Sequence, residues 1–365
     1  MKIFMDLTAL SEEPTGIARV AENVAKAMIR NHPEHRYVLS FWRDVPKRFP
    51  VDQYGENVEI LRIHAGYRTM RLKDLPMAML RSKADVFLCC AFPSPLTLFD
   101  KRAVSVIHDL TPFRYGDTMT KDARRTWRLL IRHAVRTNGL LLYVSHNTMR
   151  EVQTQFHTKK GRAIMLGVEV TEQADNGVLK KFQLEKNGYI LSVSTLEPRK
   201  NLKFLLQAFS RMENPTGVKL VLTGGKGWKL EDAIGTVDPK VEKNIVFTGY
   251  VSDEELKALY QNARCFVSAS VYEGFGLPVI EAVKNDLPVM ISDIPVYREI
   301  TDGKAVYFDL EDSESLQKCL EQMLVSDMRA TEQFVQLREF ASRYTWDNYV
   351  EQLNQLLIKK TKRNG

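Results

Sequence analysis

The chain has 365 residues, of which 44% are hydrophobic and 27% are charged. These values exclude a disordered or fibrous chain, and at about 100–200 residues per domain the length favours two domains. The formal net charge of +7 is uneven, because residues 1–180 contain 28 Lys and Arg against 19 Asp and Glu, whereas the remainder carries −2. A basic first half indicates an anionic partner: nucleic acid, an acidic membrane surface or a phosphorylated substrate.

No segment contains the ~18 consecutive apolar residues of a transmembrane helix, and the apolar run 2–7 is too short for a signal-peptide core. The four cysteines, Cys89, Cys90, Cys265 and Cys319, form neither a CxxC motif nor a Cys/His metal-ligand spacing. We therefore expect buried free thiols in a reducing cytoplasm.

Short apolar, β-rich runs alternate with amphipathic helical segments along the chain. Predicted strands in the first half are residues 2–7, 37–42, 58–63, 85–91, 104–108 and 140–144. Those in the second half are residues 189–193, 218–222, 245–247, 265–268, 288–291 and 305–308. Predicted helices include residues 17–30, 122–136, 202–211, 253–262, 313–324 and 347–360. The alternation predicts an α/β protein whose parallel sheets are covered by helices on both faces.

The polar segment 171–188 has no periodic pattern and is the best candidate for a boundary between two α/β units. We predict a first domain over residues 1–170, a second over 171–345, and a C-terminal helix within 346–365 that can pack back on the first domain. Ligands of open α/β sheets bind outside the carboxyl ends of the strands, so the loops after strands are where chemistry is expected.

The strongest candidate site is Ser268-Ala-Ser-Val-Tyr-Glu-Gly-Phe-Gly-Leu-Pro-Val-Ile-Glu281, in which a strand leads through a glycine-containing loop into a helix. Gly274 and Gly276 permit a ligand to approach the backbone, and the helix N-terminus offers free amides to an anion. Glu273 and Glu281 can accept hydrogen bonds from sugar hydroxyls. The alternative is an ordinary strand–turn–helix junction with a capping glutamate.

A second loop, Ser194-Thr-Leu-Glu-Pro-Arg-Lys-Asn201, follows the predicted strand 189–193. Its adjacent cations Arg199 and Lys200 suit a diphosphate, although an exposed turn with solvated charges is the alternative. No two aspartates in the chain are separated by a single residue, so the Asp-x-Asp pair that would hold a metal on a diphosphate is missing. We therefore predict that Arg199, Lys200 and helix amides neutralise the phosphates, with no metal and no other cofactor.

Three further motifs are weaker. Pro14-Thr-Gly16-Ile-Ala-Arg-Val20 lacks the GxGxxG pattern of dinucleotide-binding enzymes, which disfavours a nicotinamide or flavin oxidoreductase. Thr223-Gly-Gly-Lys-Gly-Trp228 is not a P-loop, because no Gly-Lys-Ser/Thr follows its glycines. His108 ends a buried strand, where it can bind a hydroxyl or a backbone carbonyl at the reacting centre or serve the structure alone.

Together these motifs resemble family four of the retaining glycosyltransferases, which have the GT-B fold of two facing Rossmann-like domains with a cleft between them. The resemblance covers nearly the whole chain and is strongest over residues 189–299. There, Glu-Pro-Arg-Lys-Asn, Leu-Thr-Gly-Gly, Phe-Thr-Gly-Tyr-Val-Ser-Asp-Glu-Glu-Leu and Glu-Gly-Phe-Gly-Leu-Pro-Val-Ile-Glu occur in the family's order. Thr-Leu-Glu-Pro-Arg-Lys-Asn and the early Thr-Gly-Ile are similar to the bacterial mannosyltransferases that build O-antigen and exopolysaccharide chains.

The resemblance implies a role for each candidate residue. Glu273 and His108 would lie near the transferred sugar, and Glu281 would hold the ribose. Arg199 and Lys200 would hold the diphosphate. Further donor contacts, mainly through the backbone, are implied for Gly16, Gly274, Phe275, Gly276, Leu277, Tyr250 and Val251.

The resemblance also implies a reaction: retaining transfer of a hexose from a nucleotide sugar, with GDP-mannose as first choice, to a lipid-linked or polysaccharide acceptor at the inner membrane surface. Alternatives are a dTDP-rhamnose or UDP-sugar donor, and, in another class, a non-catalytic scaffold subunit that binds a sugar nucleotide. One departure is that the family often has Gly-Arg where this chain has Ser194-Thr195, which leaves the diphosphate more dependent on Arg199.

The segment 122–136 carries an arginine at every fourth position and is predicted to form a helix with one cationic stripe. We expect the stripe to meet anionic lipid head groups or an acceptor diphosphate, and the alternative is a solvated helix face over an ordinary core contact. Nucleic acid is disfavoured, because no stacking platform or known binding motif accompanies the stripe. The four arginines are Arg124, Arg128, Arg132 and Arg136.

Overall fold

The computed structural model describes residues 1–213, 217–225, 227, 242–326 and 328–364. Contacts within the chain divide it into two compact units. Unit 1 comprises Met1–Phe113, Asp122–Gly167 and Tyr344–Gly365, and unit 2 comprises Arg114–Lys121 and Val168–Arg343.

The core of unit 1 is a parallel sheet with strand order β3-β2-β1-β4-β5-β6-β7. All six strands predicted for the first half are confirmed, and two-residue β7 was not predicted. β1 and β4 are buried on both faces, as a parallel sheet covered by helices requires. The strands are β1 (Lys2–Asp6), β2 (Arg36–Trp42), β3 (Val58–Ile63), β4 (Val86–Cys89), β5 (Ala103–Ile107), β6 (Leu140–Tyr143) and β7 (Arg162–Ala163).

Helices cover this sheet, and most begin shortly after a strand. Ser145 caps the helix that follows β6, because its hydroxyl accepts from the amide of Thr148 at 3.0 Å. The described α-helices are Gly16–Asn31, Tyr67–Thr69, Leu75–Arg81, Thr111–Arg114, Lys121–Thr137, His146–Phe156 and Trp346–Asn364, with a π-helical turn at Met70–Asp74 and a 3-10 turn at Val51–Gln53. The 3-10 turn Gly116–Thr118 lies in a segment of unit 2.

The C-terminal helix, Trp346–Asn364, packs against the helix Gly16–Asn31 within unit 1. Its buried face carries Tyr349, Val350, Leu353 and Leu357. The predicted helix 347–360 is therefore present, and it packs on the rest of unit 1.

One amide completes this contact with hydrogen bonds. Oδ1 of Asn354 lies 2.8 Å from Nε2 of His35, and its Nδ2 lies 2.9 Å from Nδ1 of His32. All three side chains are buried.

Unit 2 contains a second parallel sheet, with strand order β10-β9-β8-β11-β12-β13. The six strands predicted for the second half are confirmed, each within two residues of its predicted ends. These strands are β8 (Tyr189–Val193), β9 (Lys219–Thr223), β10 (Ile245–Gly249), β11 (Cys265–Ser268), β12 (Val289–Ser292) and β13 (Val306–Phe308).

Helices flank this sheet as well. Ser252 and Glu255 form a capping box at the start of the helix Asp253–Asn262. The described α-helices are Gly177–Lys181, Leu202–Arg211, Asp253–Asn262, Leu277–Lys284, Pro295–Ile300, Ser313–Val325 and Glu332–Ala341, with 3-10 turns at Pro198–Lys200 and Met328–Ala330.

The division of the chain differs from the predicted boundaries in two ways. The main segment of unit 2 begins at Val168, ahead of the expected boundary at residue 171, and the segment 171–188, expected to be patternless, contains the helix Gly177–Lys181 with buried Val178. Residues 114–121 also belong to unit 2, which no local pattern indicated. The four cysteines are free, and Cys319 is only half-buried where full burial was expected.

Candidate functional site

The centre of the unit 2 sheet is a topological switch point. β8 and β11 lie side by side there, and the chain order runs outward from them in opposite directions. Ligands of open α/β sheets bind outside the carboxyl ends of the strands at such a point. Two loops leave those ends, residues 194–201 and 269–276. The amide of Val271 in the second donates to the carbonyl of Arg199 in the first at 3.0 Å and joins them.

Local backbone preferences shape the first loop. Glu197 precedes a proline, which favours extended backbone, and its φ and ψ are −138° and 156°. Pro198–Lys200 then form a single 3-10 turn that ends at Asn201 in the left-handed conformation, with φ 55°. Asparagine tolerates that conformation better than most residues. The turn brings the side chains of Arg199 and Lys200 to one carboxylate.

Four charged side chains meet between the two loops, and we call them the switch-point cluster: Glu197, Arg199, Lys200 and Glu273. Nε and Nη2 of Arg199 donate to Oε1 of Glu197 at 3.1 and 2.6 Å. Its Nη1 donates to Oε2 of Glu273 and to the carbonyl of Tyr272, both at 2.7 Å. Nζ of Lys200 donates to Oε1 of Glu273 at 2.5 Å. The structure thus brings together three of the predicted site residues.

The cluster keeps Glu273 ionised. Burial alone would raise the pKa of this carboxyl, which is 9% exposed. The charges of Arg199 and Lys200, and the hydrogen bonds that they donate, outweigh burial and lower the pKa to about 2. A carboxylate of such low basicity whose two oxygens already accept hydrogen bonds is a poor nucleophile and a poor general base.

A chain of hydroxyls continues from this carboxylate into the core. Ser270 donates to Oε1 of Glu273 at 2.8 Å, and the hydroxyls of Ser268 and Tyr297 lie 2.8 Å apart. Burial raises the pKa of the Tyr297 hydroxyl, which keeps it protonated. Ser292 donates to the carbonyl of Ser270 at 2.6 Å and holds that loop from the next strand.

Gly276 controls how the loop enters the helix Leu277–Lys284. It has φ +104°, and a Cβ there would lie 2.6 Å from a ring carbon of Tyr297. Only glycine fits both the backbone conformation and the space. Pro278 occupies the first turn, where its missing amide costs nothing. The first turn of this helix lies just beyond the loop that carries Glu273, Gly274 and the buried Phe275, and its Val279 amide donates to the carbonyl of Gly276 at 3.0 Å.

The second predicted glutamate has a different partner. Oε2 of Glu281 accepts a hydrogen bond from the hydroxyl of Tyr260 at 2.9 Å. This partner lies on the helix Asp253–Asn262, so the two glutamates of the motif are held by different elements.

Two further loops lie at the same edge of the sheet. The amide of Leu196 donates to the carbonyl of Gly225 at 3.0 Å, which joins the loops after β8 and β9. Lys226 and Trp228 of the glycine-containing motif lie outside the described residues. After β10, Tyr250 is 40% exposed and Val251 is buried. Backbone at these two residues was expected to meet the nucleotide base.

The segment Arg114–Lys121 contacts the loop that carries Glu273. The ring of Tyr115 stacks on that of Tyr272, with centroids 5.1 Å apart and planes at 29°. Sequence alone did not indicate this contact, because the two tyrosines are far apart in the chain.

The predicted donor-site residues Gly16 and His108 lie in unit 1. Gly16 begins the helix after β1, and a Cβ built on it would meet no atom within 4 Å. His108 follows β5, and its Nε2 donates to the carbonyl of Cys90 at 2.6 Å. Burial lowers the pKa of His108 despite that hydrogen bond and the charge of Asp109, so the imidazole is neutral at pH 7.

Comparison with known proteins supports the interpretation of the fold and the motifs. Residues 178–336 match the family model described as glycosyl transferases group 1. O-antigen chain mannosyltransferase B of Escherichia coli is 29% identical over 262 residues, which cover 69% of this chain and 69% of that protein. The crystal structure of Anabaena HepE in complex with UDP and glucose is 15% identical, with a TM-score of 0.77 over 98% of this chain and 100% of that one.

The chain is a glycosyltransferase with the GT-B fold. The predicted resemblance, fold class and enzyme class are thereby confirmed. A longer relative, the serotype-specific mannosyltransferase WbdA of Escherichia coli, is 26% identical over 355 residues. That match covers 88% of this chain but only 42% of the relative, so the glycosyltransferase spans less than half of WbdA.

The helix predicted over residues 122–136 of the glycosyltransferase is present as Lys121–Thr137, but its cationic stripe is not continuous. Arg128 is half-buried: its Nε donates to the carbonyl of Pro112 at 2.7 Å, and its guanidinium lies over the ring of Phe113. Arg124 is also half-buried, whereas Arg132 and Arg136 are exposed. A four-residue spacing exceeds the helical repeat of about 3.6 residues, so the row drifts from the buried side to the exposed side.

The exposed face of this helix carries a different set of residues. Arg125 and Leu129 lie on it, beside Arg132 and Arg136. The apolar face predicted to pack on the sheet does so through buried Ile131 and Ala134, with partly buried Val135.

Sequence reasoning gave no role to two groups of buried or site-adjacent residues that the structure pairs. Glu197 and Ser270 were quoted inside motifs without a role, although each lies within three residues of a candidate and could have been tested as its partner. In unit 1, buried Asp6 at the end of β1 pairs with Arg71 at 2.7 Å. No local signal links those two, because they lie far apart in sequence.

Among the described residues, no cluster of three or more His, Cys, Asp or Glu side chains has a geometry that could hold a metal ion. In the same part of the chain, no helix combines the length and apolar character needed to cross a bilayer.

Proposed function

We propose that this glycosyltransferase transfers a mannose from GDP-mannose, with retention of configuration, to a lipid-linked oligosaccharide or polysaccharide. The observation that carries the proposal is the switch-point cluster beside the first turn of the helix Leu277–Lys284. Mannosyltransferases of O-antigen synthesis among its relatives support the sugar and the acceptor class.

We assign different roles to Arg199 and Lys200. Nε and Nη2 of Arg199 donate to Glu197, and its Nη1 donates to Glu273 and to the carbonyl of Tyr272, so we assign this residue to holding Glu273. Lys200 contacts Glu273 through Nζ, and together with the helix amides we assign it to stabilising the charge that develops on the departing diphosphate. Glu281 would hold the ribose, and the half-buried His108 would contact the donor sugar.

The weak nucleophilicity of Glu273 favours a front-face displacement without a covalent intermediate. In that step the acceptor oxygen forms a bond to the anomeric carbon while the bond from that carbon to the diphosphate oxygen breaks. The proton of the acceptor hydroxyl passes to the departing phosphate. No metal ion or other cofactor is required, because the phosphate charge is met by Lys200 and the helix amides.

The first alternative is another sugar-nucleotide donor, and the second is a non-catalytic scaffold. A UDP-sugar donor is supported by the likeness to a structure bound to UDP and glucose, and dTDP-rhamnose would suit the same site. A non-catalytic scaffold that binds a sugar nucleotide is disfavoured, because the candidate site residues Glu273, Glu281, Arg199, Lys200 and His108 are all present.

Thermal unfolding with GDP-, UDP- and dTDP-sugars tests the donor. We expect GDP-mannose to stabilise the protein most, since a ligand at a hundredfold excess over Kd contributes ~2.7 kcal/mol. Turnover should persist in excess EDTA, and the product should be α-linked by proton NMR. Larger stabilisation by another sugar nucleotide would show that GDP-mannose is not the donor. A β-linked product would contradict the front-face step.

We also propose that the enzyme binds peripherally to an anionic membrane at the inner surface, where its acceptor would lie. The exposed face of the helix Lys121–Thr137 supports this, because it combines Leu129, 45% exposed, with three arginines. Next to it, Phe99 is 78% exposed and its ring contacts that of His133 at 4.9 Å. Apolar side chains ringed by cations suit the boundary of a lipid bilayer.

A further inference from the structure

We infer that Glu197 balances the charge of the donor site and so prevents the nucleoside diphosphate product from binding too tightly. The inference rests on the proposed use of a nucleotide sugar. Glu197 is buried and lies at the carboxyl end of β8, and its carboxylate takes two N–H donors from Arg199.

The formal charges of the switch-point cluster sum to zero. Arg199 lies between two carboxylates, with 2.6 Å to Glu197 and 2.7 Å to Glu273, and Lys200 pairs with the second of them. Glu273 alone would leave the two cations with an excess positive charge. Glu197 removes that excess through Nε and Nη2 of Arg199, whereas Glu273 accepts from Nη1.

This balance matters most after sugar transfer. The departing nucleoside diphosphate is more negative than the sugar nucleotide from which it came, so an excess positive charge would stabilise the product more than the substrate. Charges interact strongly at a poorly solvated site. A neutral cluster still offers directed hydrogen bonds to the phosphates, but it limits the Coulomb attraction that would slow product release.

The alternative is that Glu197 only orients Arg199. The two interpretations predict opposite changes in the affinity for the diphosphate when Glu197 is changed. A residue that only orients would, when changed, loosen the cluster and weaken binding of the diphosphate. A residue that balances charge would, when neutralised, tighten it.

The test is titration of GDP, UDP and dTDP into the Glu197→Gln variant by calorimetry, with surface plasmon resonance for the dissociation rate. We expect the diphosphate that the wild type binds to bind on the order of tenfold more tightly, through slower dissociation. The matching sugar nucleotide should gain less. Glu197→Asp, which keeps the charge, should remain near the wild type.

A matched control removes a carboxylate elsewhere in unit 2. Asp286 pairs with Arg338 and follows the far end of the helix Leu277–Lys284. Asp286→Asn makes the same change in net charge, and asparagine suits the left-handed backbone there, with φ 61°. We expect its affinity for the diphosphate to be unchanged.

The outcomes separate the inference from the function on which it rests. If the wild type binds none of the three diphosphates, the proposed donor class is wrong. If it binds one, and Glu197→Gln binds that one equally or more weakly, charge balancing is overturned. Should Glu197→Gln not fold, Arg199→Gln and the Glu197→Gln/Arg199→Gln pair decide the question. The pair must bind the diphosphate more tightly than Arg199→Gln alone, and an equal affinity would reject the inference.

Discussion

At the scale of single residues, the site is defined by pairing rather than by the presence of particular side chains. Sequence motifs identified Glu273, Arg199 and Lys200, but predicted that both cations hold phosphate. In the structure, both cations form ion pairs with Glu273. No local sequence pattern links residues that lie more than 70 positions apart, so this pairing could be identified only in the folded structure.

The hydroxyl of Ser270 offers a test of how Glu273 is held. Ser270→Ala removes a hydrogen bond to the ionised carboxylate, which raises the pKa of Glu273 above its wild-type value of about 2. Since that pKa is lowered on folding from 4.5, the ionised group stabilises the fold above the unfolded pKa, and the stabilisation is lost as pH falls toward the folded pKa. Acid unfolding of Ser270→Ala, followed by circular dichroism, should therefore begin at higher pH.

Ser292→Ala is the matched control. That serine is equally buried but donates to the backbone carbonyl of Ser270 and not to the carboxylate. It should lower the free energy of unfolding by about 1 kcal/mol at all pH values. Parallel pH profiles for the two variants would show that Ser270 does not affect the ionisation of Glu273.

At the scale of elements, the hydrophobic pattern predicted all six strands of the unit 2 sheet and six of the seven in unit 1. It missed β7, because two residues are too few to form a pattern. The prediction for the helix Lys121–Thr137 was correct in place and wrong in which arginines share the exposed face. Spacing alone could not show that Arg128 would be half-buried and would donate a hydrogen bond to the carbonyl of Pro112.

The exposed face of that helix makes a prediction about membranes. Changing Arg125, Arg132 and Arg136 together to Gln should reduce co-sedimentation with vesicles of phosphatidylglycerol and phosphatidylethanolamine at low salt. Each cation near such a surface contributes ~1 kcal/mol, and salt screens it. Nucleotide binding should be unchanged.

The control for this triple variant changes Lys180, Lys186 and Lys318 to Gln, which removes the same charge from the surface of unit 2. It should sediment like the wild type. Equal binding of both triple variants to the anionic vesicles, or wild-type binding to phosphatidylcholine alone, would reject the arginine face as a membrane contact.

At the scale of the whole molecule, chain order and structural units do not coincide. The polypeptide passes from one unit to the other at four places. The sequence showed that two α/β units exist and where the last helix lies. It gave no sign that residues 114–121 pack within unit 2, because contacts of that range leave no periodic trace.

Asn354 tests how far unit 1 depends on the C-terminal helix. Asn354→Ala leaves the facing nitrogens of buried His32 and His35 without this partner, which should lower the free energy of unfolding by about 2 kcal/mol. Lys359→Ala, at an exposed position of the same helix, should change it by less than ~0.5 kcal/mol. Equal thermal stability of the two variants would show that the amide bridge is dispensable.

The discontinuity of unit 1 has a consequence for biosynthesis. A ribosome makes Gly16–Asn31 early but must translate all of Val168–Arg343 before it reaches the helix that covers it. At about 5–20 residues per second, this interval is on the order of ten seconds or more. During it, the side of the first helix that packs against Trp346–Asn364 has no native cover, so we expect nascent unit 1 to expose apolar surface until after the whole of unit 2 has been made.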